Sequence, residues 1–89
     1  MTLIEEDKNK PVITTKYVVN HNSPIISVFY DDDGDWQCFG EEEVSEEDAC
    51  VISVQQLLEI DNTLANIPNL SEGQSAFRED TKSLWKLQN

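Results

Sequence analysis

Three features of the sequence predict an α+β fold: a small antiparallel sheet of four or five strands with one or two short helices packed on one face. β-branched and aromatic residues gather in short runs. Two of those runs are joined by a loop containing Asp33-Gly34. One later segment carries apolar residues at helical spacing. Eighty-nine residues make one small domain. It is expected over residues 11–89, after a polar and flexible segment 1–10.

Pro11 opens the first β-rich stretch, in which Val12, Ile13, Thr14, Thr15, Tyr17, Val18 and Val19 are β-branched or aromatic. Asn20 to Pro24 reads as a turn. Ile25 to Tyr30 is the strongest strand signal. Asp31 to Asp35 breaks it, and Trp36 to Phe39 alternates as the returning strand of a hairpin. In the acidic connection Glu41 to Asp48, Val44-Ser45 followed by Asp48 predicts one helical turn capped by Ser45. Cys50 to Val54 is too β-branched for a comfortable helix and reads as a strand. Ser53 and Gln56 then form a capping box. Leu57, Ile60, Leu64 and Ile67 share one helix face. Asp61-Asn62-Thr63 divides that segment into two short helices, or one kinked helix, ending before Pro68. Gln74 to Arg78 predicts a last strand, and Leu84, Trp85 and Leu87 supply a terminal apolar patch. The expected core is Val18, Ile26, Val28, Tyr30, Trp36, Phe39, Val51, Leu57, Ile60, Leu64, Phe77 and Trp85.

Eighteen acidic against six basic residues give a formal net charge of −12 and a pI of about 4.1. Such a charge repels phosphate and argues against direct nucleic-acid binding. The apolar runs are far short of the ~20 residues that span a bilayer, and Met1 to Lys10 does not read as a signal peptide. A cytoplasmic protein is therefore expected, with Cys38 and Cys50 as free thiols in apolar company.

The placement of charge says more than its sum. Every basic residue lies near an end: Lys8, Lys10, Lys16, Arg78, Lys82 and Lys86. Tyr17 to Phe77 contains 13 acids and no Lys or Arg, and ten of those acids fall between Asp31 and Asp48. Exposed like charges raise the energy of a compact state. Asp33, Asp35, Glu41, Glu42, Glu43, Glu46 and Glu47 therefore read either as a solvated surface that aids solubility or as a surface kept for a cationic protein. Trp36 reads either as a cross-strand core residue or as an aromatic anchor within that acidic rim.

Other chemistries find little support. Asp31, Asp33, Asp35 and Glu42 fall at positions 1, 3, 5 and 12 of a calcium-loop spacing. Position 6, where the sharp turn needs Gly, is Trp36, and the flanks read as strands. No metal and no cofactor are expected. Two Cys and the single His21 are too few for a zinc site. The acids lie in hydrophilic loops without the burial or basic neighbour that tunes a catalytic carboxyl, so no catalytic residue is assigned and an enzyme is not expected.

Ser23-Pro24-Ile25-Ile26, Val28-Phe29-Tyr30, Asp33-Gly34-Asp35-Trp36-Gln37-Cys38-Phe39-Gly40, the acidic linker, Val51-Ile52-Ser53-Val54 and Leu57-Leu58-Glu59-Ile60-Asp61 together resemble a family of small bacterial domains of unknown function. Gly73 followed by Ala76-Phe77-Arg78 fits that family's usual close. The resemblance covers roughly Val18 to Phe77. The family is grouped with predicted immunity proteins of polymorphic toxin systems. It implies an α+β fold and a non-enzymatic role, and it assigns no functional residues. The resulting expectation is an acidic binding domain that neutralises a basic toxin such as a nuclease. The alternative is a stand-alone structural or regulatory domain whose acidity serves only solubility.

Overall fold

The computed structural model describes residues 1–43 and 45–88. Val44, placed by the sequence at a helix start, and the last residue of the expected domain, Asn89, lie outside the described residues. The fold is α+β. Six strands make one mixed sheet: β1 (Pro11–Thr15), β2 (Ser27–Tyr30), β3 (Trp36–Phe39), β4 (Ala49–Ser53), β5 (Gln74–Phe77) and β6 (Lys86–Gln88), in the order β4-β1-β3-β2-β5-β6.

β1 ends sooner than its composition suggests. Thr15 acts as a helix cap, its hydroxyl accepting from Val18 N–H at 3.3 Å. Lys16–His21 then forms helix α1, closed by Asn22 in the left-handed region. β-branched residues lose only tenths of a kcal/mol in a helix. Burying Val18 completely is worth about 1.5–3 kcal/mol, so packing overrides local preference.

α1 also explains why the sheet is mixed rather than antiparallel. It reverses the chain, so that β2 runs antiparallel to β1 but one strand further out. The β2–β3 hairpin, with Tyr30 opposite Trp36 and Ser27 opposite Phe39, then inserts β3 into the gap. There β3 lies parallel to β1, with Val12 opposite Trp36 and Ile13 opposite Gln37. The acidic connection crosses the end of β1, and β4 pairs antiparallel with its free side.

Helix α2 (Val54–Ile60) starts at the expected box: Ser53 Oγ accepts from Gln56 N–H at 3.1 Å, and Gln56 Oε1 accepts from Ser53 N–H at 2.9 Å. A 3-10 helix, Asn62–Asn66, follows it in tandem after Asp61. β5 pairs with β2. Of the terminal patch, Leu87 lies in β6, opposite Ala76, while Trp85 and the exposed Leu84 precede the strand.

All covering elements lie on one face. Val12, Val28, Trp36, Cys38 and Ala76 point into a single cluster with Val18, Val54, Leu57, Leu64, Ile67 and Leu70. Of the expected core, Val18, Val28, Tyr30, Trp36, Leu57 and Leu64 are buried. Ile26, Phe39, Phe77 and Trp85 are half-buried, and Val51 and Ile60 are exposed. Arg78 is buried too. It donates to Ile25 O, Thr63 Oγ1 and Asp61 Oδ2 at 2.7–2.9 Å and stacks 4.3 Å from the Trp85 ring. Each of its three side-chain nitrogens thus finds an acceptor, which is what a buried guanidinium requires.

Residues 1–10 differ from the flexible segment expected there. Leu3 sits fully buried in a 3-10 turn. The terminal amino group donates to Leu70 O at 2.8 Å and to Asn69 Oδ1, and Leu70 N–H donates back to Met1 O at 3.0 Å. The Lys8 and Lys10 carbonyls accept from Gln55 and Val54 N–H at the start of α2. Leu3→Ala is expected to destabilise the fold by about 2–5 kcal/mol, measured by urea denaturation. A change of less than about 0.5 kcal/mol, typical of exposed sites, would show that the segment frays.

Candidate functional site

Several strands are apolar at consecutive positions: Val12-Ile13, Val28-Phe29-Tyr30 and Cys50-Val51-Ile52. Strands read this way when both faces are covered, whereas a sheet with one wet face alternates. Among the described residues, the helices pack on one face, and the other is bordered by the linker. There Ile13, Phe29 and Val51 are 38%, 41% and 66% exposed. Strand register gathers them. Ile13 lies opposite Val51 on one side and Gln37 on the other. Phe29 lies opposite Gln37 and Ser75. Phe39 and Phe77 flank Ser27 in the neighbouring row. The Phe29 and Phe39 rings are 6.0 Å apart and tilted by 58°, within the favourable range for aromatic pairs. Together they floor a shallow, open hollow of about 530 Å³, whose lining includes Ile13, Ala49, Glu42 and Glu46.

The acids proposed from sequence fall into two groups. Asp33 and Asp35 lie in the hairpin loop at the Tyr30 and Trp36 end of the strands. Glu41, Glu42, Glu43, Glu46 and Glu47 lie at the Ser27 and Phe39 end. At about 3.3 Å per residue the four-residue strands alone put at least about 10 Å between the groups, so they bracket the open face instead of forming one patch. At the hairpin end the residues that border it are Asp31 and Asp32. They line a second hollow of about 380 Å³ with Phe29, Gln37 and Ser75. Asp33 is exposed, and Asp35 is shared with Lys10 at 3.8 Å.

Trp36 is corrected from candidate anchor to core. It is fully buried, its ring lies 4.6 Å from that of Tyr30, and its indole N–H donates to Glu6 Oε2 at 3.0 Å. The aromatic residue on the open side is Phe29. The signal for it was parity: a residue adjacent to Tyr30, which pairs with Trp36, must face the other way.

Within the linker, two acids anchor and the others project. Asp48 accepts from Ser45 N–H at 3.1 Å and pairs with Lys16 at 3.1 Å. The Ser45 hydrogen bond foremost, then Lys16, holds its carboxyl below the usual aspartate range. Glu42 is half-buried, with Oε2 accepting from Ser23 Oγ at 2.7 Å. Its Oε1 lies 2.7 Å from where a Cβ at Gly40 would stand, so this placement of Glu42 relies on glycine there. Glu41, Glu43, Glu46 and Glu47 are exposed. Among the described residues, none of these five glutamates joins an ion pair; the pairs use Asp35, Asp48 and Asp61.

Carboxylate oxygens of Asp31, Asp33 and Asp35 lie within 4.8 Å of one another. The turn explains that convergence. Asp31 Oδ1 accepts from Asp33 and Asp35 N–H, both at 2.9 Å, while Gly34 takes positive φ to close the loop. His21 is exposed at the end of α1. Burial pushes the Cys38 thiol up to about 12, which leaves it un-ionised at neutral pH. No helix among the described residues is long and apolar enough to cross a membrane. Comparison of the chain with family models, curated proteins and solved structures returns no match.

The thiols and the linker anchor can each be tested. Cys38 is buried and Cys50 half-buried, on strands separated by β1. A thiol reagent should modify Cys50 in the native protein and both residues after unfolding. Rapid native labelling of Cys38 would contradict the packing. For Asp48, a folded-state pKa below the unfolded one means that its stabilisation is present above the ordinary aspartate range and is lost as pH falls through the folded value. Asp48→Asn should therefore lower the melting temperature at neutral pH and flatten the acid limb of the stability–pH curve. An unchanged acid limb would show that Asp48 contributes nothing.

Proposed function

We propose that this chain is a non-enzymatic, cytoplasmic binding domain whose partner is a basic protein, and that the acidic linker and the open sheet face beside it receive that partner. One observation carries the reading: Glu41, Glu43, Glu46 and Glu47 are exposed and join no ion pair among the described residues, and Glu46 lines the apolar hollow on the open sheet face. Unpaired charge steers association and rejects partners of the wrong sign, while apolar area supplies the holding energy. Immunity to a toxin is the most concrete form of this function. A nuclease is cationic where it binds phosphate, and an acidic inhibitor covers that surface by complementarity. The resemblance to domains grouped with predicted immunity proteins supports the same reading.

The test is growth protection. Co-expressed with a basic toxin encoded beside its gene, the wild-type chain is expected to restore growth. A variant with Glu41, Glu43, Glu46 and Glu47 all replaced by Gln should associate about tenfold more slowly at low salt, with the difference shrinking as salt rises. Its unfolding free energy should stay within about 0.5 kcal/mol of wild type. Unchanged association with reduced stability would make the acids structural and end this reading.

A further inference from the structure

We infer that the open sheet face seats an amphipathic helix of the partner, apolar along one side and carrying Lys or Arg two or more turns apart at the borders of that side. This rests on the basic-partner reading and specifies what the partner presents.

The floor of the seat is Ile13, Phe29, Phe39 and Val51. Phe29 lines both hollows, so the floor is continuous from one end of β2 and β3 to the other. Acids stand at both ends: Glu42 and Glu46 at one, Asp31 and Asp32 at the other. The occupant must therefore be apolar at its centre and cationic at both margins.

A second copy of the chain does not meet that requirement. Each copy carries −12, and stacking two open faces would bring acidic margins together while burying apolar floor. Like charge held in an interface opposes that association. Of the chain's own six cations, Lys10, Lys16 and Arg78 are already engaged by Asp35, Asp48 and Asp61, which leaves Lys8, Lys82 and Lys86 to set against eighteen acids.

A helix fits a sheet face better than an extended strand does. The face offers side chains and no free backbone groups. A strand laid on it would bury unpaired N–H and C=O groups, whereas a helix satisfies its own. The acidic ends lie beyond the strand ends and so are at least about 10 Å apart. Two helical turns span about 11 Å, so cations must stand at least seven or eight residues apart to reach both ends at once.

The probe is a 16-residue helical peptide with a Leu face and Lys residues eight apart at its borders, titrated into the ¹⁵N-labelled full chain at low salt. Two control peptides accompany it. One has the same composition scrambled so that Leu surrounds the helix, and the other carries Glu in place of Lys. The first peptide should shift the amides of Ile13, Phe29, Gln37 and Phe39. Both controls should bind at least about tenfold more weakly, a difference of about 1.4 kcal/mol. Phe29→Ser should weaken the first peptide to the level of the controls. Val51→Thr, more exposed and milder, should weaken it in the same direction and keeps the test valid if Phe29→Ser does not fold.

Equal binding of the scrambled peptide would overturn the inference, because charge alone would then explain it. So would shifts confined to residues off this face, or a chain that sediments as a dimer with the face protected. Failure here is separable from failure of the basic-partner reading. Full growth protection by a folded Phe29→Ser variant removes the seat and leaves the acidic surface in place. Loss of protection in the four-Gln variant, together with normal protection by Phe29→Ser, also sinks the seat while keeping the basic partner.

Discussion

The structure depends on one constraint: in a chain of 89 residues, the helices among the described residues pack against one side of a six-stranded sheet. Strand burial needs a second layer, and nearly everything that is not strand is directed to that layer. α1 contributes Val18, α2 contributes Val54 and Leu57, and the following turn contributes Leu64 and Ile67. The N-terminal segment adds Leu3 and places Glu6 on the Trp36 indole. Trp36 is the largest fully buried side chain. An indole buries much area but also needs an acceptor for its N–H, and the chain supplies that acceptor from 30 residues away. The N-terminal segment is therefore part of the core's hydrogen bonding as well as its packing.

How much of this was legible depended on distance along the chain. The Ser53–Gln56 and Ser45–Asp48 boxes could be read because a cap and its partner are three residues apart. The hairpin could be read because Asp31 to Asp35 closes its own turn. The parallel pairing of β1 and β3 could not, since it follows from where α1 returns the chain. The helical state of Tyr17 to Val19 was hidden for the same reason: their local preference is for strand, and only the tertiary burial of Val18 decides otherwise.

The candidate site shows the same limit in a sharper form. Residue parity along β2 and β3 separates Trp36 and Tyr30 from Phe29 and Gln37, but parity does not say which set is covered. Composition allowed Trp36 as a cross-strand core residue and also, because Trp is enriched in binding hot spots, as an anchor. Covering elements decided against it. The acids could be read as a group from the sequence, yet their division between two ends of the strands required the fold.

That division matters because the linker's acids perform two tasks. Asp48 and Glu42 are held by Lys16, Ser45 and Ser23, which fixes the linker across the end of β1. Once it is fixed, Glu46 and Glu47 are carried exposed on a 3-10 turn, and Glu46 lines the apolar hollow. Their mutual repulsion raises the energy of the free domain, and an approaching cation lowers it before any apolar contact forms. Screening limits this attraction to about 8 Å at physiological salt. That range exceeds the reach of dispersion contacts, which lose roughly a quarter to a half of their strength over a gap of 0.5–1 Å. On the proposed basic-partner reading, charge at the margins would therefore act first and orient the partner, and the floor between them would act last and set how long it stays.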